Sequence, residues 1–496
     1  MRTASGLQVW ISQLDGRQYA LAVGFGIGII GAGLGFLIAV LGPWLALAAM
    51  LGLLAGLYII TDVNAALYAI IGVVLLLPFG VFPVKIAITP TLLDLALGGF
   101  LLVYLFQWMT GRRGGLRLTP AHALIIIYVM WLALAFALGL RHASPTSATI
   151  RQFAETLLSI GMVFILADLL RSPASLRRLT QVIIAAIGAQ ALLAIALYLA
   201  PDSLAEALLA RLSRIGYPAG GVIRYIEDNP ALAERAIGTW VDPNALGGIL
   251  ATAAMMIAPQ VVAKRSLLPS RWLTFGLFAV VALALLLTFS RASFLALGAG
   301  LLMIAFLRYR RLIPALLVAG LLFLFLPQTQ AYIDRLMQAF QGADLATQMR
   351  IGEWTDSLQV IGRYPFVGLG FTGAPEIDIY ANVANMYLMM ANQIGLTGLA
   401  IFLATMLGVF AYGHKAWRYA RGNPDFAALH LGFHAALFTG LVNAIADLYF
   451  FRLDFQSSIT WFWLIVALCV ASSKLALEEG ARNSAKGAIA KRDHMH

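Results

Sequence analysis

Apolar residues run along this chain in long unbroken blocks, and most blocks are joined by only a few polar residues. They do not alternate at the two-residue period of a barrel strand. They persist for about 20 residues, the length an α-helix needs to cross the hydrocarbon core of a bilayer. Spans centre on 20–40, 43–60, 64–78, 92–109, 121–140, 152–170, 178–199, 244–263, 272–289, 291–307, 312–327, 386–412, 427–447 and 456–473. Several are short or closely joined, so the pattern predicts an all-α, polytopic integral membrane protein with about 12–14 transmembrane helices.

Two polar stretches interrupt the pattern. The chain accordingly divides into N-terminal transmembrane helices (1–199), an external segment (200–243), further transmembrane helices (244–327), a large loop (328–385), C-terminal transmembrane helices (386–473) and a polar tail (474–496). Leucines at helical spacing in LAEALLARLSRIG (204–216) predict a short amphipathic helix lying in the interface. The tail, mixed in charge, reads as a solvated extension with little capacity to fold alone.

Composition agrees with this picture: 61% of the 496 residues are hydrophobic and 11% charged. The formal charge of +11 would suggest nucleic acid in a soluble protein. Here the basic residues sit in clusters between spans, where they set topology, and no nucleic-acid partner is expected. Arg112/Arg113/Arg117, Arg171/Arg177/Arg178, Lys264/Arg265/Arg271, Arg308/Arg310/Arg311 and Lys415/Arg418/Arg421 are separated from one another by even numbers of spans. All five can therefore face the cytoplasm. The lone cysteine, Cys469, excludes a disulfide framework.

That parity puts both polar stretches on the external side, with Arg211, Arg214, Arg224, Arg235, Arg335, Arg350 and Arg363. It also explains Arg291, which lies within the otherwise apolar LLLTFSRASFLAL (285–297). An arginine at the bilayer centre costs roughly 2.5–3.5 kcal/mol, whereas a turn between two spans places it at the outer surface. Arginines on the side that topology disfavours either pair with nearby carboxylates and lipid phosphates or hold an anionic ligand. The guanidinium fork suits phosphate, since each charge-assisted hydrogen bond contributes about 1.5–3 kcal/mol.

Other residues have structural readings beside functional ones. His430 and His434, four apart on one helix, have metal-ligand spacing but no acidic partner within a turn, which favours core hydrogen bonding. Asp447 is expected to pair with Arg452. Asp168 reads as an interfacial ion pair, and Asp94 stands beside an apolar span. Trp461 and Trp463 are expected in the lipid-facing aromatic belt.

Four motifs occur in order. They are RAIGTWVDPNALGGILA (235–251), TFSRASFLAL (288–297), RIGEWTDSLQVIGRYPFVGLGFTG (350–373) and ANMYLMMANQIGLTGL (384–399). Their order resembles the O-antigen ligase and O-antigen polymerase family of bacterial envelope glycosyltransferases. The likeness covers about 235–400, and the first two hundred residues match only as hydrophobic helices. It implies a GT-C-like fold in the bacterial inner membrane, with a periplasmic loop (328–385) roofing the catalytic cavity. The implied donor is a saccharide linked to undecaprenyl diphosphate, and the acceptor is a hydroxyl on a lipid-linked repeat or lipid core saccharide. Inversion at the anomeric carbon is implied, without cofactor. No Asp/Glu/His cluster with ligand spacing lies on the outer side, which suits a metal-independent reaction.

Carried over residue by residue, the resemblance assigns Arg291 and Arg350 to the diphosphate and Arg235 to its support. Asn385 and Tyr387 come as substrate contacts, and Arg224 is an addition that no motif carries. Asp242 and Pro243 read as the N-cap and first residue of a helix. The chain departs from the family at one position. A histidine, the expected general base, often precedes the Asn of the Asn-x-Tyr-Leu motif, and Ala384 stands there. Either another base serves (Glu353, Asp356, Glu376 and Asp378 are nearby), or the chain is inactivated, or a well-positioned acceptor needs little base. Ligase and polymerase share these motifs, and the missing histidine leans toward polymerase. A transporter or flippase for an anionic substrate, or a lipid-diphosphate scaffold, would also place arginines outside. A transporter, however, would carry polar residues along several spans.

Overall fold

The computed structural model describes residues 61–82, 89–263, 266–324, 345–372 and 383–493, with isolated positions between 15 and 59. The chain forms two compact units, Met1–Ala65 and Ala66–His496. In the first, most described positions are helical.

Helices α1 (Val63–Leu76), α2 (Leu92–Met109), α3 (Pro120–Gly139), α4 (Ser147–Leu169) and α5 (Pro173–Leu199) run in succession. The first polar stretch holds α6 (Asp202–Ala210), a 3-10 turn, and a ribbon of β1 (Arg224–Tyr225) with β2 (Glu234–Arg235). Next come α7 (Pro243–Val261), α8 (Arg271–Leu287), α9 (Arg291–Leu307) and α10 (Ile313–Leu324). The second polar stretch holds α11 (Leu345–Arg363), and α12 (Met386–Ala420), α13 (Pro424–Asn443) and α14 (Gln456–Asp493) complete the chain. Among the described residues eight helices are long and apolar enough to cross a membrane (α2–α5, α7 and α12–α14), and α1, α8 and α9 are shorter apolar helices. The protein is an all-α polytopic membrane protein.

Local signals start these helices where the sequence predicts. Thr91 and Asp94 form a reciprocal capping box on α2, and Pro stands in the first turn of α3, α5 and α7. Amphipathic α6 buries Ala205 and Leu209 and exposes Leu204 and Leu208.

Packing overturns two expectations. Trp461 is wholly buried, not in a lipid-facing belt. Its indole Nε1 donates to Thr252 of α7 at 2.9 Å, so the ring's polar edge finds its partner in the protein core. The tail is also not a loose extension, because α14 continues helically to Asp493. Its first turns are held by the bundle. Lys474 Nζ donates to Ala167 O at the C-terminal end of α4 (2.8 Å), a favourable place for a cation, and Glu478 meets Arg117 at 3.8 Å.

Basic residues gather at one end. Arg171 and Arg113 reach the buried Asp168 at 2.9 and 3.9 Å, and Tyr104 donates to the same carboxylate. Arg177 donates to Ser266 O, and Gln181 to Leu267 O at 2.8 Å. Near the opposite end of α2 and α4, Asp94 is in an ion pair with Arg151 at 2.8 Å.

One irregularity ties the second polar stretch to the bundle. Helix α12 breaks at Gly395 (φ 71°), which exposes carbonyls that a continuous helix would satisfy. The loop after α11 meets them: Leu369 N donates to Asn392 O and Gly370 N to Gln393 O, both at 2.8 Å, and Trp131 Nε1 takes Ile394 O at 2.9 Å. Gly370 (φ 68°) lies directly on the Gly139 backbone, leaving no room for a Cβ. The glycines of the third motif thus clamp α11 to α12.

Candidate active site

The chain turns from α8 to α9 through Thr288, Phe289 and Ser290. Phe289 takes a left-handed φ of 52°, uncommon for a bulky side chain, and Arg291 becomes the first residue of α9. Thr288, Ser290 and Ser293 are buried. Ser290 and Ser293 share a hydrogen bond at 2.9 Å, and Ser293 Oγ donates to Asn443 Oδ1 at 3.1 Å. Gly247 and Gly248 of α7, the Gly-Gly of the first motif, allow these side chains to approach: a Cβ on Gly247 would meet Ser293, and one on Gly248 would meet Asn443.

Arg235 leans on this turn. Ala236 N donates to Leu287 O at 2.8 Å, Arg235 Nε to Thr288 O at 2.9 Å, and Arg235 Nη2 to Asn244 Oδ1 at 2.6 Å. Its guanidinium therefore joins the Ser-Arg turn to the entry of α7. Asp242 caps α7 as expected, accepting from Asn244 N and Ala245 N at 2.8 and 2.9 Å. Its other oxygen accepts from the Tyr449 hydroxyl at 2.8 Å. Burial, then the charges of Asp242 and Asp447, push the Tyr449 phenol up, so it stays a donor. Val241, next to the cap, has φ 60°, a strained value for a β-branched residue.

Arg224 gains a place that sequence could not assign. It is paired directly with Arg235 across the ribbon. Opposed like charges repel across a β pair, and residues directly opposite project from the same face, so the two arginine side chains leave one face of the ribbon, next to the strand that meets the Ser-Arg turn.

The fourth motif closes the cluster. Asn385 caps α12, accepting from Tyr387 N and Leu388 N at 2.9 and 3.0 Å and donating to Ile445 O at 2.8 Å. The Tyr387 hydroxyl donates to Leu441 O at 2.7 Å. Both side chains thus join α12 to the end of α13. Met386 N completes this joint on Ala444 O and Asp447 O, each at 2.9 Å.

Helix α11 brings the third motif in. Glu353 Oε2 accepts from Ala384 N at 3.0 Å, so a carboxylate stands at the position where the family's histidine is expected. Ser357, one turn on, donates to Asn392 at 2.9 Å. Asp356 is also partly buried on α11. Glu376, Asp378 and the side chain of Arg350 lie outside the described residues; the backbone of Arg350 is one helical turn before Glu353.

One expectation changes and one holds. Arg452 pairs with Asp454 at 2.6 Å, while Asp447 faces Asn443 at 3.5 Å and offers its carbonyl to Met386. Two residues apart in one turn, Arg452 and Asp454 meet without drawing Asp447 out of the helix joint. His430 and His434 have core partners: His430 meets Ser472 Oγ and Gly413 O, both at 3.1 Å, and His434 Nδ1 meets His430 O at 2.8 Å. Sequence reasoning passed over Tyr449, Ser293 and Asn443, which carry no motif signal apart from the neighbouring Ser-Arg pair.

Residues 275–403 match the family model described as O-antigen ligase, a segment that includes the Ser-Arg turn, α11 with its glycine loop, and the start of α12. The chain has no match among curated proteins.

Proposed function

The chain carries an O-antigen ligase domain over residues 275–403, and from that premise we propose that it transfers or polymerises an undecaprenyl-diphosphate-linked saccharide onto an acceptor hydroxyl at the periplasmic face of the bacterial inner membrane. Glycosyl transfer of the ligase/polymerase type is what the domain supports generally; donor, acceptor, orientation and residue roles are our reading. One observation carries it: all four motifs join in a single hydrogen-bonded cluster, remote from the ion-paired basic end.

In this reading the diphosphate lies against Arg291 and Arg350, with Arg235 and Arg224 beside it. As the bond from the anomeric carbon to the phosphate oxygen breaks, its electron pair passes to the lipid diphosphate. Fixed guanidinium groups stabilise that growing charge without reorganising at the moment of reaction. The acceptor oxygen forms the new glycosidic bond from the opposite face, inverting the centre, and its proton passes to Glu353. Asp242, Tyr449 and Asn443 hold the helix ends that set these distances.

The test uses purified protein, an undecaprenyl-diphosphate saccharide and candidate acceptors, with release of undecaprenyl diphosphate as the readout. Arg291→Ala and Arg350→Ala should each cut release by about 10²–10³-fold, while Arg117→Ala at the basic end should leave it near wild type. Full turnover in both arginine variants would show the site to be wrongly placed.

A further inference from the structure

The basic end has a feature that glycosyl transfer does not use. Two cavities open there among the ends of α7, α9, α12 and α13. One, of about 250 Å3, is walled by Met303, Leu307, Phe410 and Trp417. The other, of about 290 Å3, is lined by Arg308, Tyr309 and Arg421 with small α13 residues. Arg308 connects them, since it lines the second while its guanidinium lies 5.5 Å over the ring of Trp417, a wall of the first.

Elsewhere at this end Arg113 and Arg171 meet Asp168, and Arg117 meets Glu478. Among the described residues no carboxylate pairs with Arg308 or Arg421. Two such cations in one cavity repel, and an anion between them relieves the repulsion with charge-assisted hydrogen bonds. The adjoining cavity is apolar and wide enough for a stretch of hydrocarbon. Of the three histidines that line it, His430 meets Gly413 O and Ser472 Oγ, and His434 Nδ1 meets His430 O. A free anion would fill one cavity and leave the other empty. An amphiphile fills both.

We propose that the paired cavities bind an anionic glycerophospholipid of the surrounding bilayer, its phosphate between Arg308 and Arg421 and one acyl chain along Leu307 and Trp417. Basic recesses between membrane helices suit such headgroups, each arginine adding to the attraction. A zwitterionic lipid carries its own cation beside the phosphate and gains less. The bound lipid braces α9 and α12, the helices whose other ends begin at Arg291 and next to Asn385.

Delipidated protein in neutral detergent is titrated with dioleoylphosphatidylglycerol, dioleoylphosphatidylcholine or inorganic phosphate, following thermal unfolding and bound lipid by native mass spectrometry. Phosphatidylglycerol should raise the melting temperature and remain as a one-to-one adduct, while the other two leave both readouts near baseline. Arg308→Gln and Arg421→Gln should each weaken its half-saturation about five- to tenfold, and Leu307→Trp should weaken it by filling the apolar cavity. Arg310→Gln, which alters an exposed arginine stacked on Phe306, should not change it. Arg308 also supports Trp417, so if Arg308→Gln does not fold, Arg421→Gln decides. Wild-type affinity in Arg421→Gln overturns the proposal, as does a full thermal shift with phosphate alone or with phosphatidylcholine.

Discussion

The two ends of the helical bundle are built differently. At the basic end, three arginines meet carboxylates: Arg171 and Arg113 converge on Asp168, and Arg117 reaches Glu478. Around the motifs at the other end, side chains bond mainly to backbone and to neutral groups, with the ion pairs of Arg151 with Asp94 and of Arg452 with Asp454 nearby. Arg235 takes Thr288 O and Asn244, Asn385 takes Ile445 O, and Glu353 takes Ala384 N. The strained backbone lies here as well: among the described residues the non-glycine positions with left-handed φ are Asp228, Val241, Phe289 and Phe371. Charge pairs tie helix ends together at the basic end. The other end spends backbone regularity to bring remote segments together, the kind of strain that collects at functional sites.

Breaking each end in turn should separate the two roles. Arg291→Ala should cut turnover by about 10²–10³-fold, the loss typical of one electrostatic donor at a developing charge, with little change in melting temperature. Arg171→Ala should do the reverse. It leaves Asp168 buried with a weakened partner set, so stability falls while turnover per folded molecule holds. Comparable turnover losses in both variants would dissolve the distinction.

A smaller effect is expected from Glu353→Gln. The amide oxygen can still accept from Ala384 N, so the geometry survives while the proton acceptor is lost. The rate constant kcat should fall about 100-fold with KM for the donor nearly unchanged. A rise in KM with kcat intact would make Glu353 a positioning residue.

Gly370→Ala tests the clamp on α12. The new methyl meets the Gly139 backbone at a left-handed φ, so a stability loss of about 1–3 kcal/mol is expected in thermal unfolding, with reduced activity. An unchanged melting temperature would mean that the glycine loop does not hold the helix break.

The smallest effect concerns pH. Burial, then the charge of Asp202, raises the Glu234 carboxyl from 4.5 to about 7. Between those values the folded chain keeps a proton that the unfolded chain has released, so stability declines as pH rises through that window. Glu234→Gln should remove this slope from melting temperatures measured between pH 4.5 and 7. An identical slope in the variant would assign the pH dependence elsewhere.

Much of this arrangement was legible along the chain. Apolar blocks of membrane length predicted the helices, Asp242-Pro243 predicted the start of α7, and the order of four motifs pointed to the family whose model matches residues 275–403. Asp168 with Arg171 was legible too, since i,i+3 partners on one helix end are local. Trp461 was misread because a tryptophan near the start of a last span looks interfacial in one dimension, while its partner Thr252 lies on another helix.

The sequence by itself determined the helices, their caps and the segregation of basic clusters, because those depend on hydropathy, local hydrogen bonding and charge over a few turns. Tertiary structure alone decided that Arg224 faces Arg235, that Glu353 stands at Ala384, and that Tyr449 reaches Asp242. Such partners are separated along the chain by loops and whole helices, and no periodicity encodes which helix end meets which. Packing of the assembled bundle supplies that information, through glycines that let neighbouring elements approach and a break at Gly395 that must find donors elsewhere.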